Sequence, residues 1–254
     1  MCKTIMATAK VNLRHLQVPY ILSLILFGAL TVQTLVFVIL GRSGMNVQYQ
    51  SNVSSGSILW LLPLLAGIFM PARNFRRIIN LGGKRESFFW GSLMAHTILA
   101  ATVSFAGMII FYVFDRPIIR TEMFGSFYPM NRENFVFNYP GHVGGIANLL
   151  DVFGWSQNGM LVAFLQQFAL LFLIATFAHT LTAIQDKWYG WVTSVLLIAI
   201  ISVFTPIAPL RAALVWFFNL IIFHDSAWLQ IGACIATGFS IFMINKPVLT
   251  RKAV

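Results

Sequence analysis

Charge is scarce in this chain, and negative charge most of all. Only 9% of the 254 residues are charged, with 7 Asp and Glu against 17 Lys and Arg. A soluble domain carries about 25% charged residues, so most of this surface faces something other than water. Cysteine is nearly absent as well. Cys2 stands at the N-terminus and Cys234 lies inside an apolar run, which leaves no disulfide framework and no cysteine-based metal spacing. No Asp or Glu falls inside any long apolar run. Ion-coupled carriers commonly hold their coupling ion on such carboxylates, so this absence counts against an ion-driven carrier. Enzyme signatures are missing too: there is no H-E-x-x-H and no G-x-S-x-G. The Gly83–Lys84 pair lacks the upstream glycine of a phosphate-binding loop and is followed by Arg85, so ATP hydrolysis is not expected on this chain.

What is present is apolar. Hydrophobic residues make up 58% of the chain. Crossing about 30 Å of hydrocarbon takes about 20 helical residues. Residues 18–40, 53–70, 88–114, 160–184, 188–207 and 227–244 meet that length closely enough to predict six spanning helices in one all-α membrane domain, 1–254. The first run is too long for a signal-peptide core and no small-residue cleavage site follows it, so it reads as a retained helix. The second is the shortest, and its helix is expected to continue past Pro71. The apolar run 212–223 is too short to span and follows Pro206 and Pro209. Residues 208–225 are therefore read as an external re-entrant segment before the last helix.

The basic residues orient this layout. With the N-terminus inside, twelve of the 17 Lys and Arg face inward, while Asp115, Glu122, Glu133, Asp151 and Asp225 face outward. That asymmetry predicts six spans with both termini cytoplasmic. The net charge of +10 is thereby assigned to membrane orientation and contact with anionic lipid, not to nucleic acid. Residues 1–17 form a further pattern: Cys2, Met6, Ala9, Leu13 and Leu16 share one face, with Lys3, Lys10 and Arg14 on another. This predicts an amphipathic interfacial helix lying at the inner headgroup layer. The external stretch 115–158 contains Phe124, Tyr128, Phe137, Phe153 and Trp155 among its aromatics, and is read as a small cap.

Within the spans the polar residues Gln33, His96, Gln166, Gln167 and His179 need partners. Interhelical hydrogen bonds would satisfy them. So would a translocation path, for which Gln166, Gln167, His179 and His96 are the candidates.

Residues 71–90 read PARNFRRIINLGGKRESFFW. Arg73, Arg76 and Arg77 are basic, Phe75, Ile78, Ile79 and Leu81 supply an apolar side, and Gly82–Gly83 ends the helix. The phrase Leu81-Gly82-Gly83-Lys84-Arg85, followed by Phe88 and a long apolar helix, resembles the cytoplasmic loop of export-type (type 2) ABC transporter permeases. The usual phrase there is Leu-Gly, any residue, Ser or Thr, Arg, and then an aromatic; Lys84 replaces the Ser or Thr. The order of an amphipathic N-terminal helix, six spans, a basic loop after the second and a re-entrant segment before the sixth is similar to that family over most of the chain. The resemblance implies a permease subunit that pairs with a second permease subunit and docks a separate ATP-binding-cassette ATPase, which holds the ATP and magnesium. It implies that residues 71–87 are the coupling loop, with Arg76, Arg77, Leu81, Gly82, Lys84 and Arg85 contacting the ATPase or shaping the loop. It implies export of a hydrophobic or amphipathic peptide, drug or lipid-like compound across a cell membrane, the plasma membrane of a bacterium. Two other classes fit the composition: a secondary carrier or channel, and a sensor or assembly protein that uses the external loop.

Overall fold

The computed structural model describes residues 2–42, 52–115, 146–185, 187–204 and 206–251. Most of the expected cap, 116–145, lies outside the described residues. The described chain is helical apart from one two-residue parallel pairing, β1 (Asn52–Val53) with β2 (Ile146–Ala147). Helices dominate because an apolar environment offers no water to satisfy exposed N–H and C=O groups.

The elements are α1 (Cys2–Arg14), α2 (Gln17–Arg42), α3 (Ser55–Asn80), α4 (Arg85–Val113), α5 (Met160–Ile184), α6 (Trp188–Phe204), α7 (Ala208–Phe223), α8 (Ala227–Ile244) and α9 (Lys246–Arg251). Four helical stretches are long and apolar enough to cross a membrane: α3, α4, α5 and Ala227–Leu249, which joins α8 to α9. The number rises to six if each of two bent pairs counts as one span, α1 with α2 at 47° and α6 with α7 at 114°. The chain therefore has the architecture of a multi-pass membrane protein.

As expected, α3 runs on past Pro71. Proline has no N–H to give to the preceding turn, and the helix widens there into a π-helical turn over Met70–Asn74. The Phe75 N–H reaches back to the Met70 carbonyl, and a regular helix resumes over Phe75–Asn80. The helix pair α6–α7 turns back sharply, and α7 ends in a second π-helical turn, Asn219–Phe223. Residues 208–223 form one helix with a widened end.

The core sits where α3, α4, α5 and α8 meet. Leu62, Ala66, Met70, Leu99, Val103 and Leu171 form one buried cluster, and Met108, Trp155, Leu170, Ile231 and Cys234 another. Small residues let the backbones approach. A Cβ on Gly67 would lie 2.6 Å from the Ala175 carbonyl oxygen, so α3 rests directly on the α5 backbone. By contrast α2, α6 and α7 show large apolar side chains on their surfaces, including Ile25, Trp191, Ile198 and Trp216. Such bands suit lipid or a neighbouring membrane chain.

Most of the expected apolar face of α1 is turned inward: Ala9 and Leu16 are buried and Leu13 packs beside them, while Met6 is 60% exposed and the polar Thr8 and Asn12 are buried as well. The helix is docked on protein: Thr8 lies against Gly91 of α4, the Asn12 amide donates to Ser92 Oγ at 3.2 Å, and Asn74 donates back to the Asn12 carbonyl at 3.3 Å. Close helix contact selects small and hydrogen-bonding residues, so Thr8 and Asn12 join Ala9, Leu13 and Leu16 on the contact face.

At the far end of α4, Asp115 is buried and accepts a hydrogen bond from the Asn148 amide. The same amide donates to Ser54 Oγ at 3.0 Å, and Ser57 Oγ accepts from the Leu149 N–H at 3.0 Å. This ties the start of α3 to the end of α4 and to the turn Leu149–Val152. Burial pushes the Asp115 carboxyl above its ordinary value, against the lowering effect of its Asn148 and Ser54 hydrogen bonds. The folded state then binds more protons than the unfolded one between 3.8 and that raised value, so stability falls as pH rises through the window. Asp115→Asn keeps the acceptor oxygen and removes the charge. Thermal unfolding in detergent is expected to show a higher midpoint at neutral pH for D115N and a weaker gain on acidification.

Candidate functional site

The segment after the π-turn of α3 has two sides. Phe75 and Ile78 are buried and anchor it, while Arg76, Arg77, Asn80, Leu81, Gly82 and Lys84 are exposed. Leu81 is 78% exposed, unusual for a large apolar side chain between basic residues. The stop is a Schellman turn. The Gly82 N–H donates to the Ile79 carbonyl and the Gly83 N–H to the Ile78 carbonyl, both at 2.9 Å. Gly82 has φ +81, a conformation that glycine takes without penalty. Gly83 has no room for a side chain, since its Cβ would lie 2.8 Å from the Ile78 carbonyl oxygen. Both glycines thus have local structural reasons, and together they present Leu81 at the tip. Lys84 is extended, and α4 begins at Arg85 with Glu86 in its first turn, where a negative charge favours the helix N-terminus. Arg85 is half-buried, unlike the other basic residues of the loop.

Rings connect this segment to the interior. Phe75 meets Phe88 edge-on at 5.1 Å, and Phe88 stacks on His179 at 6.4 Å. His179 Nδ1 and His96 Nε2 are 3.0 Å apart in a buried hydrogen bond that joins α5 to α4. Both imidazoles lie against Phe242 of α8, which also meets Phe89 at 4.7 Å. A continuous ring column therefore runs from the exposed segment to three long helices. His96 Nδ1 has no hydrogen-bond partner among the described residues. No group of three His, Cys, Asp or Glu that could hold a metal occurs among the described residues.

The structure separates the glutamines from this column. Gln166 receives a hydrogen bond from Asn158 at 3.1 Å and donates to Gln230 Oε1 at 2.6 Å. Gln230 in turn donates to the carbonyls of Ile221 and Ile222 at 2.8 and 3.1 Å. Trp155 Nε1 donates to the same Ile222 carbonyl at 3.0 Å. A π-helical turn leaves carbonyls for such donors, so these amides pin the end of α7 to α5 and α8. Gln167 points elsewhere. It is buried against Gly107, and neither of its amide atoms has a partner among the described residues. Gln33 lies exposed on α2.

Of the residues singled out from sequence, His96 and His179 meet each other, and Arg76, Arg77, Leu81, Gly82 and Lys84 share one exposed tip. Gln166 and Gln167 join neither group. Gln230 went unnoticed, although a glutamine inside an apolar run of 18 helical residues is itself a signal. The Asn12–Ser92–Asn74 and Ser54–Asp115–Asn148 ties bring together residues distant in sequence, which no local pattern marks. No family model, curated protein or solved structure matches this chain.

Proposed function

We propose that this chain is the membrane subunit of an ABC exporter, with six spans, both termini cytoplasmic and residues 208–225 re-entrant from the outside. The observation that carries the proposal is the basic tip at Leu81, stopped by glycine and joined by rings to α4, α5 and α8. A separate ATPase subunit docks there, with Leu81 entering an apolar pocket and Arg76 and Lys84 meeting acidic groups around it. Exposed apolar side chains ringed by charge are the composition of a protein–protein contact. Arg77 is turned partly to other use, since its guanidinium bonds to His15 at 3.2 Å.

In this mechanism ATP and magnesium stay on the partner. Closure of the ATPases moves the segment Phe75–Asn80, and the π-turn Met70–Asn74 lets it move without straightening α3. The displacement passes through Phe75, Phe88 and His179 to the helices that surround the path. A second permease subunit completes that path, and the exposed bands on α2, α6 and α7 offer surface for it. Gln33 on α2 would find there the hydrogen-bond partner that lipid does not supply. The substrate is a hydrophobic or amphipathic peptide, drug or lipid-like compound. Gln166, Gln167, His96 and His179 remain the polar candidates near the path, with Gln167 the most available of the four for a substrate group.

The test is purification of the chain from its own cells in mild detergent, followed by assay in vesicles. The proposal expects an ATPase chain to co-purify and transport to require ATP while surviving an ionophore. Transport that collapses with the ionophore and needs no ATPase would identify a secondary carrier instead.

A further inference from the structure

Where α1 meets the segment after the π-turn, basic side chains gather. Arg14 ends α1, and His15 follows it. Arg73 and Arg77 stand four residues apart on α3. His15 Nδ1 and Arg77 Nη1 are 3.2 Å apart. A guanidinium can only donate, so His15 Nδ1 is the acceptor and the proton of the neutral ring sits on Nε2. Desolvation, and then the charges of Arg77, Arg14 and Arg73, hold His15 below its ordinary value. Neither α1 nor residues 70–84 contain an Asp or Glu.

The arrangement is held rigidly from behind. Asn74 bonds to Asn12 and Asn12 to Ser92, which fixes α1 against α3 and α4. Like charges kept together by such packing repel one another, and an anion between them relieves the repulsion. Guanidinium groups match the oxygens of a phosphate in both geometry and charge. Next to the cluster the chain turns by 47° into α2, whose first turns expose Val18, Ile21, Leu22 and Ile25. A charged head beside an apolar wall has the layout of a lipid.

We propose that Arg14, His15, Arg73 and Arg77 form a binding site for a phosphate group at the junction of α1 and α3. An anionic phospholipid supplies that phosphate most simply, with its acyl chains along the exposed side of α2; a soluble phosphate has the same chemistry. The site does not depend on an ATPase docking at Leu81.

The test uses the full chain in phosphatidylcholine vesicles that contain spin-labelled phosphatidylglycerol or, separately, spin-labelled phosphatidylcholine. The relative association of the two labels is the readout. The wild-type chain is expected to prefer phosphatidylglycerol, and Arg14→Gln with Arg73→Gln to lower that preference by about fivefold per basic residue lost, about 25-fold for the pair. Lys3→Gln with Lys10→Gln, on exposed positions of the same helix, is expected to change it much less. Arg73→Gln alone is the second variant, since it leaves α1 untouched. Inorganic phosphate added to protein in phosphatidylcholine vesicles separates the sources: thermal protection by phosphate that R73Q abolishes, without lipid preference, assigns the site to a soluble phosphate. The proposal is overturned if the wild-type chain shows neither lipid preference nor phosphate protection. It is equally overturned if the lysine pair matters as much as the arginine pair, which would mean unspecific surface charge.

Discussion

Gly67→Ala lowers the stability of the membrane domain, and Gly67→Val lowers it further. Alanine normally favours a helix over glycine by about 1 kcal/mol, so the backbone preference alone predicts a gain. Packing opposes it. The added Cβ would lie 2.6 Å from the Ala175 carbonyl oxygen, 2.8 Å from the Ala178 Cβ and 3.1 Å from the His179 nitrogen. The obstacles are mostly backbone, which cannot swing aside as a long side chain would. Overpacking of this kind costs about 1–3 kcal/mol, enough to outweigh the helix term, and valine adds two further methyl groups. Gly28 on α2 is the control, because a Cβ there meets nothing within 4 Å. Chemical unfolding in detergent should show G28A as stable as the natural chain or slightly more so, and G67A clearly less stable. Equal stability of the two variants would show that α3 does not rest on α5 as described.

The second large effect concerns the histidine pair. His96→Leu removes one side of a buried hydrogen bond and leaves a polar ring facing leucine. The expected loss is about 1–3 kcal/mol, the cost of burying a donor or acceptor that has lost its bond. His96→Leu combined with His179→Leu removes both polar groups together. The double variant is expected to lose less than the sum of the single ones, with a coupling of about 0.5–3 kcal/mol. His179 also contacts Phe88 and Phe242, so its own substitution carries a packing loss that the cycle subtracts. Strict additivity in the same unfolding assay would mean that the 3.0 Å contact contributes nothing.

Length and apolarity made some elements readable from the chain alone. Residues 160–184 and 227–244 coincide with helices α5 and α8, because each run is long, free of Asp, Glu, Lys and Arg, and bounded by polar or turn residues. The continuation of α3 beyond Pro71 was also legible, since the apolar positions Phe75 and Ile78 keep a helical spacing across the proline. The α1 face was legible in part. Apolar periodicity picks out Ala9, Leu13 and Leu16, which are packed, and Met6, which is exposed, but hydrophobicity does not distinguish a side that meets lipid from one that meets another helix. Thr8 against Gly91 and Asn12 against Ser92 show the second kind. At the candidate site, the basic, glycine-stopped tip was visible in residues 71–90. The ring column behind it was not, because Phe88, His96, His179 and Phe242 come from helices far apart in the sequence.

Charge reversal tests the proposed docking of an ATPase at Leu81 most directly. The measurement is retention of the ATPase chain, and stimulation of its turnover, by detergent-purified protein carrying Lys84→Glu and Arg85→Glu. The account predicts that the ATPase is released and its stimulation lost, while the unfolding midpoint of the membrane domain stays close to that of the natural chain. Undiminished binding and stimulation by this variant would contradict it.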